Sequence, residues 1–153
     1  MCGLFGSSSN HLLLSQHILL VERRLISMVE SKKAVISQTL SPRLTVYSDE
    51  NFRGRSRILR GNLGIRNIEN IIGGIESLKF FSRNSNATLV LFSRTRFRGN
   101  FRVIRGNRNI RDLEDFINGR DVESLISTNQ RLTLAQIRRI RDSGELPRGY
   151  RTL

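Results

Sequence analysis

The chain has 153 residues, room for one compact domain with extensions, and its 38% apolar share is low for a pure globule. Charge is lopsided: 26 basic residues, 23 of them Arg, face 13 acidic ones, for a net +13. The single cysteine, Cys2, excludes an internal disulfide, and no run reaches the roughly 18 apolar residues that suggest a membrane helix.

Residues 1–10 are small and polar, with Asn10 placed to cap a helix beginning just after it. Residues 11–38 read as that helix. Leu14, Ile18, Val21, Leu25, Met28 and Val35 recur at alternating spacings of four and three, a coiled-coil type of seam that only Lys32 breaches. Leu12, Leu19, Ile26 and Val29 widen it. A strand is the alternative at Ile18–Val21, where four apolar residues run together. Pro42 ends the segment, because the residue before a proline is pushed out of the α region. The apolar run Leu12–Val21 contains Ser15, Gln16 and His17 and has no preceding basic stretch, so no signal peptide is expected. Synthesis in the cytoplasm is the expectation, with the product built into a larger assembled structure.

Residues 43–129 contain an internal repeat. Tyr47-Ser-Asp-Glu-Asn-Phe52-Arg-Gly54 returns 45 residues later as Phe92-Ser-Arg-Thr-Arg-Phe97-Arg-Gly99. Both copies, 43–83 and 88–129, reach a Glu-Ser-Leu, at Glu76–Leu78 and Glu123–Leu125. Leu44–Tyr47 and Thr88–Phe92 are β-rich, second strands come near 55–60 and 100–105, and Gly61-Asn62 and Gly106-Asn107 signal turns. Four short strands per copy predict a sandwich of two Greek keys, which must bury their apolar faces against something, most simply each other. Residues 130–153 form a basic tail. Within it Thr133 caps a short helix from Leu134 to Arg141, Gly144 stops it, and the last eight residues are expected to be irregular.

The repeat resembles the βγ-crystallin Greek-key motif through Tyr47, Phe52, Gly54 and Ser77, then Phe92, Phe97, Gly99 and Ser124. The resemblance covers about 85 residues, a whole two-motif domain, and implies a mostly β sandwich flanked here by an N-terminal amphipathic helix and a short C-terminal helix. It also implies that these eight residues are structural. Many relatives bind calcium through paired Asp/Asn followed by Ser/Thr-Ser. At the matching places stand Ile72-Gly-Gly-Ile-Glu76-Ser77 and Gly119-Arg-Asp-Val-Glu123-Ser124, which lack the paired Asp/Asn and argue against calcium, although Glu76 or Glu123 could recruit a cation; no cofactor is expected.

No enzyme signature stands out. His11 and His17 are six apart, not the three or four of a helical metal pair, and Cys2 has no evident base. The arginines offer more. Arg53, Arg55 and Arg57, and Arg94, Arg96 and Arg98, have the period-two spacing that places each trio on one strand face, outward if Phe52 and Phe97 point inward. Subunit contact, a stripe for polyanions and a solvated face partly paired with nearby acids are three readings of them. The helix at 11–38 is equally open: it pairs with copies of itself, covers its own domain or lies on a membrane surface. The combined expectation is a non-enzymatic structural protein. Its arm, residues 1–42, and its arginine-rich domain would drive assembly into an oligomer or filament, with no small-molecule substrate. The alternative is a basic module binding nucleic acid or an anionic cell-surface polymer. A toxin or inhibitor role is a third class, against which the missing disulfides argue.

Overall fold

A computed structural model describes the backbone of residues 8–153 and the side chains of 15–33 and 41–153. Cys2 lies outside these, as do the side chains of His11, Leu14 and Val35. The chain divides into two units at Ser37.

The first unit is carried by one helix, α1, Ser8–Leu40. Nothing between these limits breaks a helix: there is no Gly or Pro, and the strand-compatible Ile18–Val21 is absorbed into it. It starts before Asn10, which is therefore an interior residue and not the cap the sequence suggested. No acidic residue occupies its first turn and no basic one its last, so its dipole has no charged support.

The second unit, Gln38–Leu153, is built on two antiparallel Greek keys. The first copy supplies β1 (Arg43–Asp49), β2 (Arg53–Arg60), β3 (Leu63–Ile65) and β4 (Ser77–Phe81). The second supplies β5 (Thr88–Arg94), β6 (Arg98–Arg105), β7 (Arg108–Ile110) and β8 (Ser124–Thr128). The copies exchange their third strands. The first sheet runs β2-β1-β4-β7, and the second runs β6-β5-β8-β3 before a ninth strand, β9 (Arg151–Thr152), closes it in parallel with β3. The exchange makes the core common property: Leu44, Val46, Leu78 and Phe80 from one sheet meet Leu63, Ile65, Leu89, Leu91 and Leu125 from the other, all essentially inaccessible to solvent.

A second apolar cluster lies on the other face of the second sheet. Val90, Phe92, Phe97 and Ile126 pack there under Leu132, Ile137 and Ile140. The last two belong to α2 (Leu134–Ser143), spaced three apart so that both point down. A full capping box starts α2, with Thr133 Oγ1 accepting from the Gln136 amide (3.2 Å) and Gln136 Oε1 accepting from the Thr133 amide (2.8 Å). Gly144, at φ 72°, ends it. Of the last eight residues, expected to be irregular, Arg151–Thr152 form β9 while the others have no regular structure, and Leu153 accepts from the Arg66 amide and donates to the Gly64 carbonyl. Leu146 and Tyr150 join the cluster as partly buried neighbours. Apolar residues of the tail decide this outcome over its charge: Leu132, Ile137, Ile140, Leu146 and Tyr150 pack on the outer face of the second sheet.

Candidate functional surfaces

The hairpins at the two copies' aromatic corners have the same construction. Ser77 Oγ donates to the Asp49 carbonyl (2.6 Å) and accepts from the Phe52 amide (3.0 Å). Ser124 Oγ does the same with Arg94 (2.6 Å) and Phe97 (3.0 Å). These folded-over turns hold Asn51, Phe52, Arg96 and Phe97 at positive φ, and no sheet ladder reaches their backbone groups. Gly54 and Gly99 come next at φ 75° and 80°. A Cβ on Gly54 would strike the Ser48 hydroxyl and lie 2.6 Å from the Asp49 carboxyl carbon, so glycine is required there. Tyr47 meets Phe52 edge-on at 5.7 Å between centroids, and Phe92 meets Phe97 at 5.9 Å. These eight residues shape the domain.

Past the corners the copies diverge. On the outer face of the second sheet stand Val90, Phe92, Phe101, Val103 and Ile126, and the tail covers them. Forty-five residues earlier, the corresponding positions on the first sheet are Thr45, Tyr47, Ser56 and Ile58, with Lys79 in the place of Ile126. Ile58 is 55% exposed and Phe81 44%. Cations lie over the rings: Lys79 Nζ is 4.5 Å from the Phe52 centroid, and the Arg43 guanidinium is 5.2 Å from that of Phe81. Neither periodicity nor motif singles out Ile58, Phe81, Arg43 or Lys79 in the sequence. Comparing the two copies position by position marks Lys79, which stands where the second copy has Ile126, but not Arg43, Ile58 or Phe81, whose counterparts are Thr88, Val103 and Thr128.

The arginine trios do not lie as their spacing suggested. Arg94 ends β5, Arg96 sits in the turn at φ 58°, and Arg98 begins β6 opposite Arg94, so this trio bends around a hairpin. Arg53, Arg55 and Arg57 do all fall in β2, but Arg55 and Arg57 stand on the side that also carries buried Leu59, since Arg57 is registered opposite Val46 and Leu59 opposite Leu44. They are solvent-exposed because β2 is an edge strand that overhangs the sandwich. Arginines suit such an edge, whose unpaired backbone groups would otherwise invite another strand. Phe97 is fully buried, yet in the outer cluster and not between the sheets, and Phe52 is half-buried. Among the described residues only two ion pairs form, Arg66–Glu145 at 3.7 Å and Arg141–Asp142 at 3.1 Å, both exposed. Intramolecular pairing with the acids of 112–123 is therefore not how these charges are arranged. Arg105 is an exception in kind. It donates to Thr88 Oγ1 (2.6 Å) and to the Leu132 carbonyl, and burial, helped by Arg131, lowers its pKa.

Two open clefts have opposite charge. Arg94, Arg98, Arg120 and Arg141 line one of about 530 Å³, together with Asp142, which pairs with Arg141. Glu50, Glu69, Glu76, Asp112, Glu114 and Asp121 line another of about 310 Å³. In the second, Glu50, Asp112 and Glu114 bring carboxylate oxygens within 4.8 Å of one another. Asp112, then Asp121 and Asp115, push the Glu114 pKa up. Glu123, the counterpart of Glu76, is engaged elsewhere, accepting from the Thr95 amide at 3.0 Å.

On α1, Ile18, Val21, Leu25 and Met28 are 46–58% exposed, as are Leu19, Leu20, Ile26 and Val29. No described helix is long and apolar enough to cross a membrane.

Exchanged third strands, folded aromatic corners and serine latches together make this a βγ-crystallin-like fold. No protein-family model and no curated protein matches the chain. Solved structures similar to it include spherulin 3a from Physarum polycephalum, 26% identical, with 56% of this chain and 82% of that one covered and a TM-score of 0.43. A βγ-crystallin domain from Flavobacterium johnsoniae is 23% identical over 59% and 98% of the two chains, with a TM-score of 0.41. An archaeal βγ-crystallin is 18% identical over 57% and 98%, with a TM-score of 0.42.

Proposed function

We propose that this chain is a non-enzymatic structural protein that self-assembles through its N-terminal arm and its arginine-rich domain surfaces. The exposed apolar side of α1 carries the reading. Side chains from Ile18 to Val29 present a row of Leu, Ile, Val and Met to water, and such a surface gains roughly 25 cal/mol for each Å² it buries. The domain surfaces add complementary charge, since a cleft of four arginines and a cleft of six carboxylates coexist on one unit. A contact joining the two is heterologous, so it propagates as a filament unless its rotation closes.

Light scattering and electron microscopy of the full chain, against a full-length Leu25→Glu/Val29→Glu variant, test the proposal. The native protein should form particles of several chains and the variant should not. A native monomer, or a variant of unchanged size, overturns it.

The arginine cleft favours a second reading, a binder of polyanions. Phosphate contacts release counterions, so affinity for a single-stranded oligonucleotide should fall steeply with salt. Binding that ignores salt, or no binding, removes that reading.

A further inference from the structure

We propose that two α1 arms pair antiparallel, in the register that sets Lys32 of each against Glu22 of the other. This rests on the self-assembly reading and adds to it the partner of the arm, a second α1, and its direction. Every described side chain of α1, from Ser15 to Lys33, is exposed. Two of them are charges set inside the apolar stripe. The helical neighbours of Glu22, three and four residues away, are Ile18, Leu19, Leu25 and Ile26. At the same separations from Lys32 the sequence has Met28, Val29, Val35 and Ile36. Neither charge has an ion pair among the described residues. Ten positions apart, roughly 15 Å along the axis, they do not reach each other within one helix. Covering the stripe therefore requires a counterion for each from outside its own helix.

Direction follows from charge. In a parallel, in-register pair each seam residue faces its own copy, so Lys32 would meet Lys32. An antiparallel pair removes that contact. With Leu25 of one arm opposite Met28 of the other, Val21 falls opposite Lys32, on the flank that carries Glu22. Symmetry makes the Lys32–Glu22 contact twice. Lys33 stands farther out on the same flank and adds to the attraction for Glu22. On the opposite flank Arg24 faces Ser31, while Arg23 and Glu30 lie on the far side of the helix. Sliding one arm by seven residues keeps the seam but loses the match: one way brings the two Glu22 carboxylates together, and the other moves Lys32 away from Glu22. The pair is isologous and closes, which leaves the oppositely charged clefts to extend the assembly.

Charge exchange in the full chain tests this, read by sedimentation over a dilution series. Glu22→Lys and Lys32→Glu each set like charges together, and each should raise the concentration at which the assembly dissociates several-fold. Glu22→Lys/Lys32→Glu should bring it back near the native value. Both positions are exposed, so neither change threatens the fold. Disulfide trapping on a Cys2→Ser background gives a second readout, with Val21→Cys in one chain and Lys32→Cys in a co-expressed chain of distinguishable mass. Oxidation should give mixed dimers several-fold above either homodimer. Homodimers as the main linked species would mean parallel arms and would overturn the proposal. A double variant no better than the singles, in a protein that still assembles, would overturn the register while self-assembly stood. If the native protein sediments as a monomer, both proposals fall.

Discussion

The two Greek keys share a skeleton and differ in what lies on their backs. The second carries Phe101 and Ile126 under a capped helix, whereas the first carries Ser56 and Lys79 toward open space. Their hairpins, latches and exchanged strands correspond one for one, so the difference arises from a handful of side chains on one face. A repeat keeps the residues that bend its backbone, and the face that needs no backbone geometry is free to change. In this chain that freedom separates a sealed surface from an available one.

Truncating matched aromatics should expose the contrast most strongly. Phe97 is fully buried beneath the tail, so Phe97→Ala should cost about 3–5 kcal/mol. Phe52 at the matching corner is only half-buried, and Phe52→Ala should cost about 1–2 kcal/mol, in line with its smaller buried area. Urea midpoints of the two variants measure the gap. Equal losses would mean that the first face is already covered in solution.

The serine latches give the control. Ser77 and Ser124 are both fully buried, and each makes two bonds of the same lengths. Ser77→Ala and Ser124→Ala should each cost about 1–3 kcal/mol, and the same amount within error, because the hairpin backbone loses the same partners. A large difference between them would show that the asymmetry reaches into the hairpins.

The roof itself can be loosened without touching what it covers. Thr133 is exposed and serves α2 only through its capping box. Thr133→Ala should cost about 1 kcal/mol. Hydrogen exchange should then rise in α2 and the outer face of β5 before it rises in β1. Uniform acceleration would mean that roof and sandwich open as one.

Much of this architecture was legible in the chain, since it is written in residue types that only backbone geometry explains. Tyr47, Phe52, Gly54 and Ser77 and their counterparts marked the hairpins, and Thr133 and Gly144 marked both ends of α2. What escaped was tertiary. The basic composition of 130–153 hid that Leu132, Ile137, Ile140 and Tyr150 are placed to cover a sheet, because those residues mean little until Val90, Phe92 and Ile126 are known to face outward. The spacing of Arg94, Arg96 and Arg98 matched a strand, but period-two spacing cannot reveal the turn that divides them. The arm's seam gave the helix, whereas its partner depends on another surface.

Charge gives the finest comparison. Glu114 stands among Asp112 and Asp115, while its counterpart Glu69 stands among Asn67 and Asn70. Asp112, Asp121 and Asp115 raise the Glu114 pKa above its ordinary 4.5, so the native state holds this proton more tightly than the unfolded chain does. The resulting stabilisation is complete below the ordinary value and is lost as pH rises through the raised one, leaving an ionised Glu114 that repels its neighbours. Glu114→Gln should therefore raise the Tm slightly at about pH 7, and that advantage should shrink as pH falls toward about 4. Glu69→Gln should change the Tm less at about pH 7, because the residues flanking it are neutral. Thermal melts of both variants across that range decide it: equal gains would mean that the acids act through the net field of the cleft, and not through the neighbours that distinguish the second copy from the first.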